Sequence, residues 1–157
     1  MQNNKDSNEA EAYQVRKLEI TDKSKGFMEL LQQLTVCDPV SDEEFQNRFE
    51  ELKSCGDDHV ICVIEDATSS KIIATGSVFI EKKFIRGCGK VGHIEDIVVD
   101  SSARGLQLGK KVVCFLADHA RSNGCYKVIL DCSDDNKAFY EKCGFKEKEI
   151  QMVKYFI

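Results

Sequence analysis

Residues 98–110 read VVDSSARGLQLGK, and this stretch decides which fold the chain can adopt. An apolar strand ends at Val99, a short polar loop follows, and a helix then starts among Gly105, Gly109 and the basic Lys110. The first turn of a helix leaves backbone N–H groups unpaired, and the helix dipole adds positive charge to them. Because glycines let a ligand come close to these amides, the stretch predicts a cradle for a pyrophosphate. An ordinary strand-to-helix turn has a similar pattern and stays open as the alternative.

Residues 87–92, GCGKVG, match a dinucleotide-binding fingerprint in their letters only. That fingerprint must follow a strand and open a helix, because the helix N-terminus binds the phosphates. Here the next residues, 93–99, alternate between polar and apolar types as a strand does. We therefore predict a flexible hairpin connection at this point.

The pattern of apolar residues along the rest of the chain predicts one mixed α/β domain over residues 12–157, preceded by a polar, disordered tail over residues 1–11. A capping box of Ser41 and Glu44 starts a helix that stops at Gly56. The predicted order is β-α-α-β-β-β-α-β-α-β, a central mixed sheet flanked by helices. The other predicted helices cover residues 27–34, 105–122 and 135–143, and the predicted strands cover residues 13–19, 60–65, 72–84, 91–100, 126–132 and a part of 145–157.

The overall charge argues against two classes of partner. The chain has 157 residues and a net charge of -5 at pH 7, so it has no general electrostatic attraction for nucleic acid or for an anionic membrane. No apolar run approaches the roughly 20 residues that a membrane span needs, and the polar N-terminus is unlike a signal peptide. These features predict a cytoplasmic protein.

Eight cysteines are many for this length, and no two of them have C-x-x-C spacing. With only three histidines beside them, a structural zinc site is not expected. We interpret most of the cysteines as reduced, buried apolar side chains, and we expect no metal cofactor.

Two motifs resemble those of the GNAT family of N-acetyltransferases. Arg104 and Gly109 match the family's acetyl-CoA motif, [Q/R]-x-x-G-x-[G/A], although Gln107 replaces its first glycine, and residues 136–145, NKAFYEKCGF, match its later helix. Residues 92–97, GHIEDI, and 125–132, CYKVILDC, are similar to members that acetylate an amino-sugar phosphate. The resemblance covers nearly all of residues 13–157 and implies the GNAT fold.

The resemblance also implies an activity, namely direct transfer of the acetyl group of acetyl-CoA to the amine of glucosamine 6-phosphate, a step toward UDP-N-acetylglucosamine. It implies a homodimer whose subunits share their active sites. It assigns to acetyl-CoA the residues Ile97, Val98, Val99, Arg104, Gly105, Leu106, Gln107, Leu108, Gly109, Lys110, Asn136, Tyr140, Glu141 and Lys142. It assigns to the acceptor sugar the residues Thr35, Lys83, Phe84, Ile85, Glu95, Asp96, Ile97, Tyr126, Lys127 and Lys154.

Attack of an amine on a thioester requires a neutral amine, a stabilised oxyanion and a proton for the leaving thiolate. We expect the phenol of Tyr140 to hydrogen-bond the sulfur of CoA and to protonate or stabilise the departing thiolate. We expect the carboxylates of Glu95, Asp96 and Asp131 to bind sugar hydroxyls, to orient the ammonium or to relay its proton, and the identity of the general base stays open. Adjacent strand residues point to opposite faces, so Glu95 and Asp96 can face one ligand only if a bulge intervenes. His93 is interpreted as a strand residue.

Four cations lie within nine residues of this otherwise acidic chain: Lys82, Lys83, Arg86 and Lys90. They favour an anionic acceptor, although charge runs are usually solvated surface. Two other functions stay open: acetylation of another amine, such as a polyamine or a protein lysine, and a non-catalytic acyl-CoA-binding module.

Overall fold

The computed structural model describes residues 13–157, and the tail predicted over residues 1–11 lies outside them. The strands are β1 (Val15–Lys17), β2 (His59–Glu65), β3 (Ile72–Lys82), β4 (Lys90–Val99) and β5 (Cys125–Ile129). The helices are α1 (Phe27–Leu31), α2 (Asp42–Ser54), α3 (Leu108–Ser122) and α4 (Asp134–Lys142). A single irregular helical turn, interrupted at Arg86 and Gly87, covers Ile85–Cys88, and short 3-10 turns cover Ile20–Lys25, Gly56–Asp58 and Ser101–Ala103.

The strands form one sheet in the order β1-β2-β3-β4-β5. Neighbouring strands from β1 to β4 are antiparallel, whereas β4 and β5 are parallel because α3 crosses over between them. The predicted mixed α/β class and its central sheet flanked by helices are confirmed.

Each face of the sheet has its own apolar core. On one face, α3 contributes Leu108, Val112, Leu116 and Ala120 to a cluster with strand residues such as Ile94. On the other face, Phe27 and Leu30 of α1 and Phe45 of α2 pack against Val63, Ile72 and Val98. The sheet is therefore the middle of three layers, as expected when helices cover both faces.

Several local predictions are confirmed by hydrogen bonds. The amide of Glu44 donates to Ser41 Oγ at 3.1 Å, and the amide of Ser41 donates to Glu44 Oε2 at 2.8 Å, which is the predicted capping box. Residues 87–92 lead into β4 and not into a helix, and β3 and β4 are antiparallel, so the predicted hairpin connection is also confirmed.

The last predicted strand is wrong, because residues 145–157 have no regular secondary structure. A strand requires a neighbour with which to exchange backbone hydrogen bonds. Within this chain the apolar side chains of the segment are instead exposed: Ile150, Met152, Val153, Tyr155, Phe156 and Ile157. The order observed in the described chain therefore ends with α4.

Candidate functional site

Strand β4 has a bulge at its centre. Ser77 of β3 lies opposite Glu95, whereas Thr75 lies opposite Val98. Two residues of β4, Asp96 and Ile97, therefore face the single intervening residue of β3. Asp96 accommodates the extra residue by adopting a left-handed backbone conformation with φ of 53°. Glu95 and Asp96 could face one ligand only if a bulge intervened, and the structure has a bulge at this position.

The bulge reverses the alternation of side chains along β4. Before it, Ile94 lies in the core under α3, so even-numbered side chains face that helix. After it, Ile97 and Val99 pack against the α3 core, while Val98 joins the core under α1 and α2. Even-numbered side chains of β4 therefore face α3 before the bulge, and odd-numbered side chains face it after the bulge. Bulges commonly redirect side chains in this way next to active sites.

Gly76 of β3 makes room for this bulge. A Cβ atom at that position would lie 2.4 Å from Cδ1 of Ile97, 2.7 Å from Cγ1 of Val112 and 3.0 Å from Cδ1 of Leu116. Any side chain would overlap Ile97, which is the residue that the bulge turns toward α3. The sequence analysis did not identify Gly76, because its role depends on a pairing register between distant residues.

Strands β4 and β5 separate just before the bulge. Within residues 13–157, their pairing runs only from Lys90 opposite Cys125 to His93 opposite Ile129. Beyond that point, the edge of β4 that faces β5 has no strand partner in the described chain. Backbone N–H and C=O groups of an unpaired edge are available to a ligand. The predicted acetyl-CoA residues of β4, 97–99, lie in this unpaired part.

The three predicted catalytic carboxylates are close enough to influence one another. Desolvation, the charge of Asp131 and the charge of Asp96 all raise the pKa of Glu95. Both Glu95 and Asp96 are exposed, and Asp131 follows the end of β5, where its Oδ2 accepts a hydrogen bond from Nε2 of Gln151 at 3.1 Å. An acid whose pKa is raised toward neutrality can exchange a proton with an amine more readily than an ordinary glutamate can.

A cavity of about 720 Å³ lies between the sheet, α1, α2 and the segment that joins these helices. Asp96 lines this cavity together with residues 75–77 of β3, so the bulge opens into it. The rest of its wall is largely apolar and comes from α1 and α2. The predicted acceptor residue Thr35 lies in the same joining segment and is exposed.

The residues of the predicted cradle lie where a loop meets the start of α3, and the helix begins later than predicted. Gly105 and Gln107 have φ of 88° and 61°, which a right-handed helix does not allow, so α3 starts at Leu108 and not at Gly105. The first helical bond runs from the amide of Lys111 to the carbonyl oxygen of Gln107 at 3.2 Å. No side chain of residues 13–157 caps this N-terminus.

The amides of residues 108–110 therefore have no partner within the helix. The preceding residues 104–107 form an exposed loop, and the side chain of Lys110 is also exposed. Free amides, the positive end of the helix dipole and a lysine together suit a pyrophosphate. This geometry favours the cradle over an ordinary turn, whose amides a side chain usually caps.

Tyr140 lies half-buried on α4, the helix that packs beside this first turn. Its ring makes edge contacts with the rings of Phe139 and Phe145, at centroid distances of 4.9 and 6.0 Å. Burial, with a smaller effect of the charges of Cys132 and Cys143, raises the pKa of the Tyr140 phenol. The phenol is therefore neutral at physiological pH and can donate a proton. The other predicted ligands on α4 are exposed: Asn136, Glu141 and Lys142.

The predicted cation cluster divides into cations that are held by distant residues and cations that lie beside the ring of Tyr126. Lys82 forms an ion pair with Asp58 at 2.6 Å, and Lys90 donates to the carbonyl oxygen of Asn123 at 3.1 Å, so both are held by residues far away in the chain. Arg86 lies over the ring of Tyr126 with its Cζ 5.6 Å from the ring centroid, and the Nζ of Lys127 lies 5.8 Å from the same centroid.

Of the other predicted acceptor residues, Phe84, Ile85 and Lys154 are exposed, whereas Lys83 is half-buried. Lys83 forms an ion pair with Glu81 at 3.1 Å. Phe84 and Ile85 follow in the turn between β3 and β4, where Phe84 is 95% exposed. Lys154 lies in the exposed C-terminal segment, with its ammonium 5.8 Å from the centroid of the Phe156 ring. The structure of the single chain thus brings Arg86, Tyr126 and Lys127 together and leaves Lys154 on the irregular C-terminal segment.

Two further features concern metal ions and membranes. Among residues 13–157, no group of three or more His, Cys, Asp or Glu side chains is arranged to hold a metal ion. None of the helices described here is long and apolar enough to cross a membrane.

Comparison with known proteins agrees with this geometry. The acetyltransferase (GNAT) family matches residues 24–145, and the chain belongs to that family. It is 71% identical to the glucosamine 6-phosphate N-acetyltransferase of Arabidopsis thaliana over 147 residues, which are 94% of this chain and 99% of that protein. It is 45% identical to the enzyme of the same name from Candida albicans, over 91% of this chain and 95% of that one. The crystal structure of the Arabidopsis thaliana enzyme superposes with a TM-score of 0.91 and covers 92% of this chain and 99% of that chain.

Proposed function

We propose that the protein transfers the acetyl group of acetyl-CoA to the amine of glucosamine 6-phosphate, releasing CoA and N-acetylglucosamine 6-phosphate. The observation that carries this proposal is the opening between β4 and β5, which begins beyond His93 and lies next to the bulge at Asp96. The high identity to enzymes named for this reaction gives the acceptor its identity.

Acetyl-CoA fits the two unpaired sets of backbone groups. The pyrophosphate binds the amides of residues 108–110, with Lys110 and the loop of residues 104–107 around it. The pantetheine arm lies along residues 97–99, whose free edge offers amides to it and to the thioester carbonyl. An amide directed at that oxygen stabilises the negative charge that develops during attack.

The acceptor amine attacks the thioester carbonyl carbon from the carboxylate side of the bulge. Glu95, Asp96 and Asp131 hold the ammonium, and one of them receives the proton that the amine loses. The C–N bond forms as the C–S bond breaks, and the thiolate of CoA takes the proton of the Tyr140 phenol. A neutral phenol is required for that step, and the raised pKa of Tyr140 favours it. The acylated nitrogen then loses its second proton, which returns the phenolate to the neutral phenol.

The sugar phosphate binds cations beside the turn between β3 and β4. Lys83 and Lys127 are the predicted ligands, and the position of Arg86 over Tyr126 adds a third cation to the same surface. Phe84 and Ile85 lie in the same turn as Lys83, whereas Thr35 lies toward the other end of β4, two residues after Gln33, which bonds to Asp100 at 2.9 Å. Thr35 and this turn can therefore contact one sugar only across a subunit interface. Lys154 completes the site only if the C-terminal segment of another subunit reaches it.

That requirement supports a homodimer. β5 is the last strand of the sheet and leaves one edge unpaired in the described chain. Residues 150–157 expose six apolar side chains, including Phe156 at 88% and Ile157. In a dimer, the apolar C-terminal segment of one copy can pair with the free sheet edge of the other copy. Removal of residues 150–157 should convert the dimer into monomers in analytical ultracentrifugation, and an unchanged mass would contradict this interface.

The cytoplasm is the compartment that suits the eight cysteines. All of them are free thiols in the structure, but only Cys62 is buried, so the prediction that most of them are buried apolar side chains is wrong. Four of them are exposed: Cys55, Cys88, Cys114 and Cys132. Exposed unpaired thiols are typical of a reducing environment.

One experiment tests the proposed reaction. Consumption of acetyl-CoA is measured against glucosamine 6-phosphate, glucosamine, spermidine and a lysine peptide. We expect the highest kcat/KM for glucosamine 6-phosphate, and Lys83→Met should raise the KM for this sugar but not for glucosamine. Lys82→Met is the matched control, because Lys82 is held by Asp58. Equal kcat/KM for glucosamine 6-phosphate and glucosamine would contradict recognition of the phosphate group. Binding of acetyl-CoA without turnover would indicate a non-catalytic module.

A further inference from the structure

The side chain of Gln33 joins the end of α1 to the end of β4. Its Nε2 donates a hydrogen bond to Oδ2 of Asp100 at 2.9 Å, and its Oε1 accepts one from the amide of Ser101 at 3.0 Å. The two partners define the orientation of the Gln33 amide group, because the reverse orientation would place its oxygen against a carboxylate and its N–H groups against another N–H. We call the three residues and their two bonds the Gln33 clip.

On one side, the clip holds the segment that joins α1 to α2. α1 ends at Leu31, and one further turn follows, in which the amides of Leu34 and Thr35 donate to the carbonyl oxygen of Leu31 at 3.0 and 3.3 Å. Thr35, a predicted acceptor residue, is thus two positions from Gln33. In the described chain, no other hydrogen bond joins residues 32–39 to any part beyond α1 and this segment itself. The position of Thr35 therefore depends on the clip.

On the other side, the clip holds the loop that leads from β4 into α3. Oδ1 of Asp100 accepts a hydrogen bond from the amide of Ser102 at 2.9 Å and so caps the 3-10 turn Ser101–Ala103, while Oδ2 of the same carboxylate belongs to the clip. The proposed ligands of acetyl-CoA lie directly before and after this turn, at residues 97–99 and 104–110. The clip thus connects the two proposed binding sites.

We propose that Gln33 is a positioning residue that couples the acetyl-CoA site to the acceptor segment around Thr35. A ligand that orders the loop of residues 100–107 makes the two bonds of the clip persist, and these bonds hold the turn that Thr35 closes. Coupling between two sites is reciprocal, so loss of the clip weakens acceptor binding in the presence of acetyl-CoA. The inference rests on the proposed function for the identity of both ligands.

The exposure of the clip decides which measurement reports on it. Both bonds are exposed to solvent, so they contribute little to the overall stability of the fold. Their effect is expected in the binding of ligands and in the local opening of the Thr35 turn. A thermal melt should therefore be nearly unchanged when the clip is removed.

The first test measures this coupling by hydrogen exchange of backbone amides, followed by NMR with and without saturating CoA. We expect CoA to slow the exchange of the Thr35 amide about three- to tenfold in wild-type protein. Gln33→Met keeps the length of the side chain but makes neither bond, so CoA should not slow the exchange in this variant. Gln32→Met is the matched control and should behave as wild type, because Nε2 of Gln32 bonds only within the segment, to the carbonyl oxygen of Cys37 at 3.4 Å. No slowing in wild type, or equal slowing in Gln33→Met, would overturn the proposal.

The second test exchanges the two side chains of the clip. Gln33→Glu alone sets two carboxylates against each other, and Asp100→Asn alone sets N–H groups against N–H groups. In the double variant, the new carboxylate at position 33 accepts from the amide of Ser101 and from the new amide group at position 100, whose oxygen still accepts from the amide of Ser102.

We expect each single variant to raise the KM for glucosamine 6-phosphate about three- to tenfold while kcat changes less than about twofold, and the double variant to restore the KM. A general structural defect would not be repaired by the second substitution. The proposal fails if the KM is unchanged in both single variants, or if the double variant has a KM no lower than the worse of the two.

The two tests separate this inference from the proposed function. If CoA slows exchange at Thr35 only when Gln33 is present, but glucosamine 6-phosphate is not acetylated, the coupling stands and the proposed acceptor is wrong. If acetylation is normal while the slowing is absent, or while the double variant restores nothing, the proposed function stands and the role of Gln33 is wrong.

Discussion

The ring of Phe139 lies 3.1 Å from the position that a Cβ atom on Gly109 would occupy. This contact joins the first turn of α3 to α4, and it therefore links the two sequence motifs of the proposed acetyl-CoA site. Glycine at position 109 keeps one backbone amide open to a ligand and lets the neighbouring helix, which carries Tyr140, approach closely.

Gly109→Val should weaken CoA binding strongly and leave a folded protein. The new side chain overlaps Phe139 and displaces the first turn of α3 from α4, at a cost of about 1–3 kcal/mol in stability. Calorimetry with CoA and a thermal melt measure the two effects. Gly124→Asn, at the other end of α3, is the control, because φ there is 84° and no atom lies within 4 Å of an added Cβ. Normal CoA affinity in Gly109→Val would contradict the cradle.

Gly76→Ala should disturb the bulge of β4. Its Cβ would lie 2.4 Å from Cδ1 of Ile97, so the bulged residue must move. We expect kcat/KM for the acceptor to fall at least tenfold, together with a loss of about 1–3 kcal/mol in stability. Gly92→Ala is the matched control, since its Cβ would meet Ala120 at 2.9 Å but lies outside the bulge. Equal losses of kcat/KM in both variants would show that the bulge has no special role.

Tyr140→Phe should lower kcat more than it raises the KM for acetyl-CoA. The variant keeps the aromatic contacts with Phe139 and Phe145 but removes the proton that the thiolate receives. The loss should correspond to about 1–3 kcal/mol, or roughly 5- to 150-fold in kcat. Because the pKa of Tyr140 is raised above its ordinary value of 10.0, its ionisation should not limit kcat in wild-type protein between pH 6 and 9. An unchanged kcat, with chemistry limiting the rate, would exclude this role.

Features that depend on neighbouring residues were predictable from the sequence. The capping box at Ser41 needs only a hydroxyl and a glutamate three residues later, and its two hydrogen bonds are present. The start of α3 was predicted too early, because Gly105 suggested a helix start although its left-handed conformation excludes it from the helix. A glycine marks a special backbone position, but the sequence does not say on which side of it the helix begins.

Features that depend on distant pairing were not predictable. The bulge at Asp96 and the role of Gly76 follow from the register between β3 and β4, which no local pattern contains. The C-terminal residues 145–157 have the composition of a strand, but a strand also needs a partner. The interpretation of His93 as a strand residue needed only the local pattern, whereas its bond to Glu81 of the neighbouring strand depends on the fold.

The buried carboxylate of Asp22 binds Arg16 of β1 and so holds this strand in place. Asp22 is completely buried, and both of its oxygens accept hydrogen bonds from the guanidinium of Arg16 at 2.8 Å. Arg16 and Lys25 also pair with Glu65 of β2, at 2.7 and 2.9 Å. Burial alone would raise the pKa of Asp22, but the bonds from Arg16 and from the amide of Glu19 bring it below its ordinary value.

Asp22→Asn should destabilise the protein by about 3 kcal/mol at pH 7, because it leaves the Arg16 charge without its buried partner. The contribution of Asp22 is fully present above its unfolded pKa of 3.8 and is lost as the pH falls through the lower pKa of the folded state. The difference in unfolding free energy between wild type and variant, measured with urea, should therefore be constant from pH 5 to pH 8 and shrink below about pH 4. Asp57→Asn, which removes the exposed pair with Lys17, is the control and should change stability by less than about 1 kcal/mol. A difference that stayed the same down to pH 2 would show that the charge of Asp22 does not hold the strand in place.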